Sequence, residues 1–167
     1  MEEKTRKLKT LERLLIYDRL LRFALDLLTG IREELKADID ETRLIAESVL
    51  EEKEKKVVED FILKIEELFL LKTDEVLDHI YDEYEVFNFD VTFLSAIPEE
   101  IERELERLAL IDTVNTKLQL LIDILDEAFC LIPEENERIR VVLTPFRVYK
   151  ELLEHAIDFN NKFKEKT

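Results

Sequence analysis

Gly30 is the only glycine among 167 residues, and Pro98, Pro133 and Pro145 are the only prolines. Tight β-hairpins depend on glycine or asparagine at positive φ, so a chain this poor in glycine has little material for them. Leu, Glu, Lys, Ile and Arg dominate instead, and most of these favour helix. The fold class that follows is all-α: an up-and-down helical bundle of roughly five to seven helices, built as one domain over residues 1–167. Hydrophobic residues at 46% and charged residues at 40% fit amphipathic helices and not a disordered chain.

The most apolar stretch is 8–31, LKTLERLLIYDRLLRFALDLLTGI. Taken as a helix, it places Ile16, Tyr17, Leu20, Leu21, Phe23, Ala24, Leu25, Leu27, Leu28 and Ile31 on an arc of about 200°, wider than the stripe of a surface helix. Leu8, Leu11 and Leu15 fall outside that arc, on the side that Asp18, Arg19, Arg22 and Asp26 occupy later. The two ends of the helix therefore face different neighbours. These are either two helices of the same chain, or a partner or second copy at Leu8, Leu11 and Leu15. The stretch 112–132 has a similar arc, and the two are expected to form the centre of the bundle.

Along the chain, the spacing predicts a first helix over 4–28, ended by Gly30 in a left-handed cap or continued to Lys36. Asp38, with Glu41 three residues on, has the form of a capping box and starts a second helix near Asp40. That helix is expected to run through the charge run 51–56, EEKEKK, to residue 72. Thr73, followed by Asp74 and Glu75, caps a shorter helix ending near Glu85. From Phe87 to Phe93 apolar and polar residues alternate, the period of a strand. An extended aromatic connector is expected near 87–95, with Phe87, Phe89 and Phe93 laid over the bundle or against a partner. Pro98 opens a helix carrying Ile101, Leu105 and Leu108. Pro133 ends the 112–132 helix and opens a short one through Val142, and Thr144-Pro145 starts the last.

The net charge of −16 is uneven. Residues 1–22 hold seven basic and four acidic groups, and 162–167 hold three Lys and one Glu, so both ends are basic. Residues 74–106 hold twelve acids and one base, Arg103. Such a field repels nucleic acid, and no nucleic-acid partner is expected. It leaves open an acidic decoy that imitates nucleic acid and occupies a basic protein. Cys130 is alone, which excludes an intrachain disulfide and fits a reducing cytoplasm. The opening MEEKTRKLKT, followed by apolar sequence broken by charges, is neither a signal peptide nor a membrane span. Abundant Glu and Lys with a single Gln and no Trp follow the bias of thermophile proteins.

The two histidines sit in matching frames, Glu75, His79, Asp82 and Glu151, His155, Asp158, each on one helical face. Opposed, they could hold a bridged metal pair and support a metal-dependent enzyme. Their carboxylates, however, lie opposite the apolar stripes of their helices, and a buried metal needs ligands inside. Ferritin-like bundles want Glu three residues before His, where Val76 and Leu152 stand here. None of the Glu-Glu pairs has the third Glu of the helical nucleotide pyrophosphatases. With one glycine there is no phosphate-cradling loop, and Ser48 and Ser95 lie in no motif. The expectation is a non-enzymatic interaction or adaptor protein acting as a homodimer, with neither metal nor cofactor. Its contact residues are Leu8, Leu11, Leu15, Phe87, Phe89 and Phe93.

Overall fold

A computed structural model describes residues 2–94 and 110–166, and side chains from 15 to 85 and 111 to 163 together with Glu2 and Glu12. Every element in it is helical. Helix α1 spans Glu2–Val49. A second rod follows, made of α2 (Glu52–Lys64), a π turn (Ile65–Leu70) and α3 (Leu71–Leu94) without interruption. The rest is α4 (Leu110–Phe129), a short α5 (Glu137–Val142) and α6 (Thr144–Lys166). The four long rods form a ring in which α1 packs on the second rod and on α6, and α4 packs on the same two. Neighbours run antiparallel, so the topology is up-down-up-down. No helix among the described residues is long and apolar enough to cross a membrane.

Helix α1 is 48 residues long and reaches about 72 Å at 1.5 Å per residue. Both expected breaks lie inside it. The reason is the core stripe: Leu21, Ala24, Leu28, Ile31, Leu35, Ile39, Thr42, Ala46 and Leu50 are buried at spacings of three and four with no phase change. Breaking the helix at Gly30 or Asp38 would uncouple half of that stripe. Asp38 is not a cap. Its carboxylate accepts the hydroxyl proton of Tyr149 on α6. Burial first, and then that carboxylate, push the Tyr149 hydroxyl far above the ordinary tyrosine value.

The real turn falls at Leu50-Glu51, inside the charge run expected to be continuous. Glu51 is extended, with ψ at 163°, and its N–H donates to the Glu54 Oε1 at 3.1 Å in a capping box. Lys55 reaches back across the turn to Glu47 at 3.3 Å. Further out, Arg43 binds Glu59 at 3.0 Å and Glu66 at 2.9 Å, Arg32 binds Asp74 at 2.6 Å, and Tyr84 donates to Asp18 at 3.1 Å. These pairs keep one register along the whole hairpin.

Thr73 is not a cap either. It is buried in the second rod, and its hydroxyl donates to the Phe69 carbonyl at 2.7 Å. The π turn just before it carries extra residue per turn and so shifts the phase of the buried face. Residues 87–94 are helical and not an extended connector. Val86, Phe89 and Phe93 fit helical spacing as well as strand spacing, and extending a helix already formed is far easier than starting new structure. Residue 95 and the helix expected from Pro98 lie outside the described residues.

The buried side chains form one cluster running through all the long rods. Near the turn end, Phe61 lies 5.0 Å from Phe129 and 5.3 Å from Phe146, ring centre to ring centre. Phe146 in turn meets Tyr149 edge-on at 6.0 Å. These aromatics tie α2, α4 and α6 together. The short α5 begins later than expected, at Glu137, because Asn136 caps it: the Asn136 Oδ1 accepts from the Ile139 N–H at 3.1 Å. Thr144 does open α6, although its hydroxyl turns back to donate to the Val141 carbonyl at 2.6 Å.

Candidate interaction surfaces and a cationic pocket

The two histidine frames stay apart. Glu75, His79 and Asp82 lie on α3, and Glu151, His155 and Asp158 on α6, all six exposed. Both helices pack on α1 and α4, so these helices stand between the two frames. Among the described residues no group of three or more His, Cys, Asp or Glu side chains is gathered as a metal would require. Glu75 is engaged by Lys72 at 3.2 Å. Cys130 is exposed just beyond the end of α4.

Of the expected contact residues, Leu15 is 61% exposed. Leu8 and Leu11 share its helix, and Phe87, Phe89 and Phe93 belong to α3. Their side chains lie outside the described residues.

A larger apolar surface runs along the groove between α1 and α6. Positions 23, 27, 30, 34, 38, 41, 45 and 49 recur at three and four residues and make the flank of α1 that turns to α6. Positions 148, 152, 155, 159 and 163 make the matching flank of α6. The contact of the Phe23 and Phe159 rings at 5.5 Å and the Tyr149–Asp38 hydrogen bond mark the line where the two helices meet. Phe159 also stacks edge-on against Phe163 at 4.7 Å. Phe23, Val148, Leu152 and Phe159 along this groove, and Ile45 and Val49 further along the same face of α1, all remain exposed, Phe23 by 43% and Val49 by 57%. Gly30 lies between them, and a Cβ added there would meet nothing within 4 Å. Val148, Leu152 and Phe159 recur at helical spacing beside the buried Tyr149, Leu153 and Ala156, so periodicity alone does not separate them from the core. The missed signal was width: the arc of the first helix is broader than its neighbours in the bundle can cover.

On the other flank of α6, a cavity of about 320 Å³ opens where α4, α5 and α6 meet. Phe129, Ile132, Arg140, Arg147, Lys150, Glu151 and Glu154 line it. Asp126 holds the Lys150 ammonium at 2.5 Å, with Glu154 at 3.8 Å, and the Asp126 contact raises the ammonium above the ordinary lysine value. The Nε of Arg140 is shut off from water and donates to nothing. A polar group left this way costs about 1–3 kcal/mol or more when charged. Sequence reasoning passed over this site. Its trace is the run of Arg138, Arg140, Arg147 and Lys150 in a chain whose interior is otherwise acidic.

At the opposite end of the α4–α6 pair, three asparagines are linked. Asn160 is buried and donates to the Asn115 Oδ1 at 2.9 Å, and Asn115 donates to the Asn161 Oδ1 at 2.9 Å. The chain fixes the register of α6 on α4, with Asn161 at its exposed end and the Asn160 Oδ1 shut off from water. No protein-family model matches the chain, and no solved structure matches it.

Proposed function

We propose that the protein works by binding and not by catalysis, and that it acts as a homodimer through the outer surface of α1 and its groove with α6. The observation that supports this most is the row of large apolar side chains left exposed there: Phe23, Ile45, Val49, Val148, Leu152 and Phe159. Residues 23–49 span about 40 Å, and two helices side by side are about 20 Å wide. That surface is roughly 800 Å², about one partner's share of a standard interface. Leu15 lies two turns before Phe23 on the same helix and extends the surface towards Leu11 and Leu8. The lone Cys130 fits a reducing compartment, and a cytoplasmic place of action goes with the proposal.

Light scattering of the purified chain tests it. The expected result is a dimer, with Phe23→Glu plus Phe159→Glu giving a monomer of unchanged helicity. Leu11→Glu with Leu15→Glu reports separately on the N-terminal part of the surface. A monomeric wild type, or a dimer indifferent to both pairs of changes, overturns the proposal.

A further inference from the structure

We infer that the cavity at the α4–α5–α6 corner is a binding site for a small organic monoanion, a carboxylate carried on a short apolar body. Three observations lead there. The cavity, at about 320 Å³, falls at the lower end of the range that small-molecule sites occupy, about 300–1,000 Å³. Arg140 keeps a desolvated Nε with nothing to donate to among the described residues, and Arg147 stands exposed at the rim, its guanidinium open to solvent. Guanidinium groups present paired donors whose geometry matches a carboxylate. Finally, Phe129 and Ile132 supply an apolar wall beside those donors, which a bare inorganic ion would leave unused.

The charge of the lining selects among anions. Arg140, Arg147 and Lys150 face Glu151 and Glu154 across the cavity. Lys150 is already neutralised by Asp126. That leaves two guanidiniums against two glutamates, so a dianionic phosphate would bring two charges in excess, a monocarboxylate only one, and a neutral molecule would answer the buried Arg140 Nε with an uncharged acceptor at most. The site lies on the flank of α6 away from the α1 groove, so it stands or falls independently of the dimer.

Titration calorimetry with three probes of similar size tests the assignment: phenylacetate, phenylethanol and phenyl phosphate. Phenylacetate is expected to bind more tightly than phenylethanol by about tenfold or more, the worth of hydrogen bonds to a charged group. It is also expected to bind more tightly than phenyl phosphate. Arg147→Gln, at an exposed position, and Arg140→Gln should each abolish the preference over phenylethanol. Arg138→Gln, outside the cavity lining, should keep it. No phenylacetate binding up to about 10 mM, the affinity floor for a ligand of that size, overturns the site. So does equal binding in the Arg147→Gln variant. Tighter binding of phenyl phosphate overturns the monoanion assignment.

Discussion

Phe61 sits where three helices of the bundle meet. It is fully buried in α2 and touches Phe129 of α4 and Phe146 of α6. Truncating it would empty the point where three helices meet, and the helices cannot close over the gap without moving apart. Phe61→Ala is therefore expected to cost about 3–5 kcal/mol in chemical denaturation. A loss below about 1 kcal/mol would mean that the aromatic cluster is not the keystone argued here. Gly30 behaves in the opposite sense. It sits inside α1 with open space around it, so its only effect on the helix is entropic. Gly30→Ala should stabilise the chain by about 0.5–1 kcal/mol, raising the melting temperature by about 2 °C. A lower melting temperature would show that the open space is needed, as it would be if a partner helix approached closely there.

At the scale of elements, the long amphipathic helices were legible, whereas the helix over 87–94 and the break between the first two rods were not. Helices announce themselves through periodicity over many residues, whereas a break depends on a few local groups. Asp38 and Glu41 carry the form of a capping box, yet Asp38 is occupied by Tyr149, more than a hundred positions away in sequence. Glu51 opens α2 although Glu is a poor cap by habit, because Glu54 answers its N–H. The Phe87–Phe93 alternation fitted two periods at once, and a helix arriving from residue 71 decided between them. The cationic pocket was illegible for a related reason: Phe129, Arg140 and Lys150 come from three elements, and only packing brings them together.

The Glu54 carboxylate shows how such local groups hold elements in place. It accepts from the Asn136 Nδ2 at 2.8 Å as well as from the Glu51 N–H, so it links the α1–α2 turn to the start of α5. The Asn136 bond first, and then the backbone bond, hold this carboxyl below its ordinary value. A depressed carboxyl contributes stability that is whole above its unfolded value, about 4.3, and is lost as pH falls through its folded value. Asn136→Ala removes both the link and the α5 cap. The cap alone is worth about 1 kcal/mol. The melting-temperature gap between wild type and this variant should be widest near pH 6 and should narrow as the pH falls through the folded value of the Glu54 carboxyl. A gap that does not change with pH would show that the Asn136–Glu54 bond contributes nothing.

At the scale of the whole molecule, charge and apolar surface pull in opposite directions. Each copy carries −16, and two copies meeting face to face repel one another. The surface proposed for the dimer also holds Glu34, Asp38 and Glu41 midway between its apolar ends. Burial of Phe23, Ile45, Val49, Val148, Leu152 and Phe159 must outweigh that repulsion. Salt separates the two effects, because it screens charges beyond about 10 Å at 0.1 M and leaves apolar burial nearly untouched. Raising the salt from roughly 50 to 500 mM should therefore tighten the dimer, the reverse of an assembly held by ion pairs. Sedimentation at both salt concentrations measures the dissociation constant directly. If added salt instead drives the copies apart, the contact is electrostatic, and the basic N-terminal turns of α1 against the acidic face of a second copy would account for it better than the α1–α6 groove.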